Sequence, residues 1–143
     1  MIILVSDTSV LIDLERGGLL EKAFSLGHPM VVPDLLYARE LEAENGPYLR
    51  GLGLGVVALT SEEVEFAQKV RAECGMLSLP DCFALSCATR PDHILVSGDL
   101  DLRNEAVARI GQLFEGLTKI YAHLRCRLPQ PLIKARLKAK SEG

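Results

Sequence analysis

Four short apolar runs, at residues 2–5, 30–32, 56–59 and 94–96, punctuate the chain, each too brief for a helix and bounded by polar or turn residues. Continuous rather than alternating hydrophobicity is what a parallel strand covered on both faces requires. Between them the apolar spacing changes to three and four. Val10, Leu11 and Leu14 predict a helix over 8–16, and Gly17-Gly18 interrupts before a second over 19–26. Pro33-Asp34 opens a helix expected to run to about Glu44, with Leu35, Leu36, Ala38 and Leu41 facing the core and Gly46-Pro47 ending it. A glycine-spaced loop follows over 51–55. Thr60 with Glu63 forms a capping box for a helix to about Cys74 that packs Val64, Ala67 and Val70. Ser78-Leu79-Pro80-Asp81 is a second start of the same kind, leading into the apolar residues 83–88. A helix over about 102–109, a short strand near Leu113-Phe114 and two helices split at Pro129 and Pro131 complete the pattern. Strands alternating with helices predict the α/β class, a three-layer α/β/α sandwich with a mainly parallel central sheet.

The 143 residues suit one domain, and neither a repeat nor a linker divides them. A composition 48% apolar and 24% charged excludes disordered, collagen-like, coiled-coil and low-complexity chains. No apolar run approaches the ~20 residues that span a bilayer, and the opening MIILVSD lacks a basic region, so a cytoplasmic protein is expected. Cys74, Cys82, Cys87 and Cys126 lack zinc-site pairing and read as reduced core thiols.

The net charge of −3 conceals two unlike parts. Residues 1–118 hold nine basic against eighteen acidic side chains, whereas 119–143 hold seven against one. The basic tail, at about 130–143, reads either as a solvated helix or as a contact for phosphates or an acidic partner. With 5% aromatic residues and no Trp, a base-stacking platform is not expected. The acids of the body need the closer account.

Two strand runs end on acids. Asp7 follows the first and Asp99 follows the last through Ser97-Gly98, so both project from the sheet edge where α/β folds place their clefts. Glu40 lies in the helix after the second strand, and Asp81 lies at the start of the helix leading into the last. Two carboxylates about 4 Å apart repel by roughly 1 kcal/mol in water and about 4 kcal/mol at an effective dielectric of 20. Shared protons, a neutralising Lys or Arg, or a bound divalent cation would each relieve a gathering of all four. No Lys lies near any of them in sequence. Oxygen donors without His or Cys select Mg²⁺ or Mn²⁺, which orients water on a phosphodiester and needs no side-chain nucleophile. Ser9 and Ser97 stand beside the acids as donors able to orient a carboxylate.

The segments ILVSDTSVLIDL, VVPDLLYAREL, LSLPDCFALSCA and ILVSGDLDL together resemble the ordered acidic motifs of the PIN-domain ribonucleases, above all the VapC toxins of toxin–antitoxin pairs. The resemblance extends from Met1 to about Leu102. It implies a single PIN-like nuclease domain over 1–143: a Mg²⁺- or Mn²⁺-dependent endoribonuclease acting on RNA, homodimeric, and held inactive by a small VapB-like antitoxin. By position Asp7, Glu40, Asp81 and Asp99 would be the metal-binding acids and Asp101 an accessory one. Ser9 and Ser97 would match the family's small polar residues. The chain departs from the pattern at Glu115-Gly116-Leu117-Thr118, where many relatives have Gly-Thr, and Glu42 and Glu44 compete with Glu40 on the same helix.

Each acid also has a structural reading. Asp7 would cap the helix beginning near Ser9, Asp81 would serve the dipole of its own helix, and Asp99 and Asp101 would be turn and cap residues. Glu40 and Glu44 would share a solvated face. Among whole functions, a non-catalytic PIN-like domain binding protein or RNA is the main alternative. A phosphoacceptor domain would need a Lys at the end of a late strand. Dinucleotide binding would need a GxGxxG after the first strand, which is absent.

Overall fold

The computed structural model describes residues 2–110. The expected strand near Leu113-Phe114, the helices around Pro129 and Pro131, the basic tail and Cys126 lie outside the described residues. Within them the order is β1 (Ile3–Ser6), α1 (Thr8–Arg16), α2 (Leu20–Phe24), β2 (Met30–Pro33), α3 (Asp34–Leu36), a π-helical turn (Tyr37–Leu41), α4 (Gly46–Leu52), β3 (Gly55–Val57), α5 (Ser61–Glu73), α6 (Leu79–Cys87), β4 (His93–Val96) and α7 (Leu100–Ile110). All four strands are parallel, in the order β3-β2-β1-β4. Helices on both faces complete the three-layer α/β/α sandwich that the apolar pattern predicts.

The order follows from the chain's path. From β1 it moves outward to β2 and β3, then crosses back through α5 and α6 to add β4 on the other side of β1. Parallel crossovers are right-handed, so a reversal of direction sends the helices to opposite faces. α6 lies against β1, β2 and β4, with α5 packed on it, while α1, α2 and α4 pack together. Val5, Val32, Leu95 and Val96 of the sheet are buried in one core with Val10, Leu11 and Leu14 of α1 and the run Cys82–Cys87 of α6. Burial raises the Cys82 and Cys87 thiols to about 11, which keeps them neutral and unreactive. No described helix is long and apolar enough to cross a membrane.

The segment after β2 departs from the sequence reading, in which one helix runs to about Glu44 and Gly46-Pro47 ends it. Instead α3 loosens at Tyr37–Leu41 into a π-turn, closed by the Glu42 amide donating to the Tyr37 carbonyl at 2.8 Å. One extra residue per turn rotates the inward face, burying Tyr37 and Leu41 while Leu35 and Ala38 are exposed. Gly46-Pro47 then begins α4, Pro47 standing in its first turn where a missing N–H costs nothing. Gly46 is required for another reason. A Cβ there would stand 2.6 Å from the Leu41 carbonyl oxygen and 2.8 Å from the Tyr37 ring.

Candidate functional site

The register of β1 on β4 assembles the site. Ser6 pairs with Val96, and the Asp7 amide donates to the Val96 carbonyl at 3.3 Å, so the next residues, Asp7 and Ser97, meet across the sheet's carboxyl edge. This is where the strand order reverses, the usual crevice of an open parallel sheet.

Asp7 is buried at 3% exposure. One oxygen, Oδ1, accepts from the Val10 amide at 2.9 Å and the Ser9 hydroxyl at 3.1 Å; the other, Oδ2, accepts from the Ser97 hydroxyl at 2.6 Å. The first bond is the helix cap of the structural reading, so Asp7 is both a cap and the centre of a polar cluster. Burial raises its carboxyl to about 6; the hydroxyl and amide bonds oppose the rise, and the nearby charge of Asp81 adds to it.

Ser97, fully buried, passes the network onward by accepting from the Asp99 amide at 3.0 Å. Asp99 is exposed and turns Oδ1 toward its own helix, accepting from the Asp101 amide at 2.9 Å and the Leu102 amide at 3.3 Å. Asp101 is exposed and joins this turn through its amide rather than its carboxylate. Asp81 completes a capping box, its Oδ2 accepting from the Ser78 amide at 3.1 Å while its own amide donates to the Ser78 hydroxyl at 3.2 Å. Glu40 is exposed on the π-turn, and its Oε1 accepts from the Thr8 hydroxyl at 2.7 Å.

Ser9 and Ser97 therefore both orient Asp7, as their positions beside the acids predict. The sequence does not single out Thr8, because its partner lies 32 residues away and no local pattern announces the pair. A groove opens beside this contact, lined by Thr8, Ile12, Glu15, Glu40, Leu41, Glu44 and Asn45. Glu40 and Glu44 share it and Glu42 does not line it, in keeping with their spacing.

None of Asp7, Glu40, Asp81 and Asp99 forms an ion pair among the described residues, where Arg90 and Arg109 pair instead with Glu63, Glu73 and Glu105. The donor chemistry fits a hard divalent cation: all four offer only carboxylate oxygens, and Glu40 Oε2, Asp81 Oδ1 and Asp99 Oδ2 accept no hydrogen bond among the described residues. The gathering is less complete than the chemistry. Among the described residues no three His, Cys, Asp or Glu side chains stand close enough to hold a metal ion. The charge of Asp81 reaches Asp7, while Glu40 is held on the Thr8 side and Asp99 on its helix cap. No protein-family model matches the chain, and no curated protein matches it.

Proposed function

We propose that the protein is a Mg²⁺- or Mn²⁺-dependent endoribonuclease hydrolysing RNA phosphodiester bonds, the cytoplasmic toxin of a type II toxin–antitoxin pair. Asp7, Glu40, Asp81 and Asp99 would hold the cation. One observation carries the reading: a carboxylate buried at the sheet's switch point has three hydrogen-bond donors, an acidic neighbour and no ion-pair partner among the described residues. Such a group is costly to folding and is retained where something from outside completes it. When bound, a hard divalent cation neutralises the carboxylates and stabilises charge on a phosphodiester. The chain's own part is positional. Ser97 and Ser9 fix the two oxygens of Asp7, and the Asp99 amide fixes Ser97, so the central carboxylate is presented in one orientation. Glu40, Asp81 and Asp99 stand on separate elements.

The resemblance to VapC toxins extends the proposal to a homodimer and to a small VapB-like antitoxin. A non-catalytic PIN-like domain binding protein or RNA is the second reading, favoured by the acids' engagement in caps and by the absence of a three-ligand cluster among the described residues. Calorimetric titration with Mn²⁺ separates them, together with an RNA cleavage assay with and without chelator. Saturable binding and cleavage abolished by chelator and by Asp99→Asn support the nuclease. A protein that binds no Mn²⁺ and cuts no RNA is the binding module.

A further inference from the structure

We propose that the basic carboxyl-terminal segment of this same chain, residues 132–140, docks in the acidic groove beside α1. Docking there needs no cation at the four acids.

Two surface cavities share Glu15. One is the groove between α1 and the π-turn, where Ile12 and Leu41 lie among Glu15, Glu40 and Glu44. The other is lined by Glu15, Glu21 and Tyr48 of α4, among others. Together they gather four glutamates, and no Lys or Arg among the described residues lines either. Glu15, Glu21 and Glu44 are exposed and form no ion pair among the described residues. Ile12 is 39% exposed and Tyr48 54%, two of the six large apolar side chains that the described residues leave open. Carboxylates in this number repel a phosphate backbone and attract cations, while the open apolar side chains favour an occupant that can cover them.

The chain carries a segment with both properties. Residues 133–140 read Ile-Lys-Ala-Arg-Leu-Lys-Ala-Lys, apolar and basic in strict alternation, with four cations and no acid. The other cavities suit it less. The one at Glu62, Glu63 and Phe66 includes Arg109, and its Glu63 already receives Arg90; the one at Gly17-Gly18 includes Lys22.

Reach is ample. α7 ends at Ile110, and residues 111–131 at up to ~3.3 Å each extend as far as about 70 Å, against about 35 Å for the width of a domain this size. Single exposed ion pairs are weak, but a tethered segment is held at an effective concentration in about the millimolar range, so several weak pairs over an apolar contact suffice.

The test uses the full chain. An equal mixture of ¹⁴N- and ¹⁵N-labelled protein is treated with a carbodiimide, which joins a lysine amine to an adjacent carboxylate, and linked peptides are read by mass spectrometry. Lys134, Lys138 or Lys140 should link to Glu15, Glu21 or Glu44 within chains of one label. In the triple variant Lys134→Glu, Arg136→Glu, Lys138→Glu the links from Lys140 should disappear and the Ile12 methyl resonance should move. Adding Glu15→Lys and Glu44→Lys to that variant should bring links back with amine and carboxylate exchanged. Both groove positions are exposed, so these variants keep the fold. Absence of links between the tail lysines and these glutamates overturns the proposal, as do links unchanged by the reversed tail or an unmoved Ile12 resonance. Links that join ¹⁴N to ¹⁵N peptides in statistical proportion also overturn it, because they seat the tail of a second copy in the groove.

Discussion

Two capping boxes of the same construction lead to opposite electrostatic ends. At the start of α5, Thr60 and Glu63 exchange hydrogen bonds; at the start of α6, Ser78 and Asp81 do the same. Glu63 also receives Arg90, whose Nε and Nη2 donate at 2.7 and 2.8 Å while Nη2 reaches the Ala58 carbonyl at 2.6 Å. The Arg90 bonds pull the Glu63 carboxyl down to about 2. Asp81 has no such cation among the described residues, and its charge helps to raise buried Asp7 to about 6. Capping by itself therefore does not fix the electrostatic surroundings of an acid. The neighbours do: one box closes on an arginine, and the charge of the other adds to the rise of a buried second acid.

The sharpest break in this contrast should come at Asp7. Asp7→Asn removes the central carboxylate and should abolish RNA cleavage. In metal-free buffer at pH 7 it should nevertheless raise stability by about 2–3 kcal/mol, at roughly 1.4 kcal/mol for each tenfold change in proton affinity. The sign follows from the direction in which burial moves the group. A carboxyl raised from 3.8 to about 6 holds its proton more firmly in the folded state. The wild type therefore loses stability as pH climbs through that window, and the variant does not. Denaturant midpoints of both proteins between pH 4 and 7 check this, and an Asp7→Asn protein less stable than wild type at pH 7 would falsify it.

Ser97→Ala should come next. It leaves Asp7 Oδ2 and the Asp99 amide without their shared hydroxyl, lowering stability by about 1–3 kcal/mol and cleavage about 10–100-fold. Urea melts and initial rates measure the two separately, and a variant that cuts at the wild-type rate would show that Ser97 serves folding alone.

On the other box the sign reverses. Glu63→Gln should cost about 1–2 kcal/mol, less than so depressed a carboxyl would imply if buried, because Arg90 is a quarter exposed and water screens the pair. With its folded value depressed, Glu63 contributes fully above pH 4.5 and loses that contribution as pH falls toward about 2. Cleavage should be unchanged, and acid-unfolding curves of wild type and variant should converge at low pH. The smallest effect belongs to Glu105→Gln, which removes a partly exposed i,i+4 partner of Arg109 and should cost about 0.5 kcal/mol or less by thermal melting.

What the sequence discloses follows the range of the interactions. The four strands, both capping boxes and the Gly17-Gly18 break are specified by neighbours, and each strand lies within two residues of its apolar run. The π-turn and α4 are not legible. Gly46-Pro47 reads locally as a stop, whereas Gly46 is needed for the Tyr37 ring and the Leu41 carbonyl, and Pro47 opens a new helix. A period of 3.6 assigns Ala38 to the core, but the wider turn does not keep that period, and Tyr37 takes the inward place. At the site, Ser9 and Ser97 are legible because they stand beside acids. Thr8 is adjacent too, but its hydrogen bond to Glu40 appears only when residue 40 folds back onto it. Asp7 and Asp99 show why neither reading of the acids excludes the other: each caps a helix with one oxygen and joins the Ser97 cluster through other atoms.

The pairing of β1 with β4 also sets a schedule. Ser97 and Asp7 are separated by 90 residues, so a chain growing from its amino end exposes Asp7 long before the hydroxyl that orients it has been made. β4 is the last described strand to be synthesised, and it takes the vacant edge of β1 rather than extending the β2–β3 side. Closing so long a loop is entropically costly and gains its contacts all together when the strand docks. The cluster around Asp7 is thus completed in one late step, and a nascent or truncated chain lacking β4 carries the acid without the means to aim it.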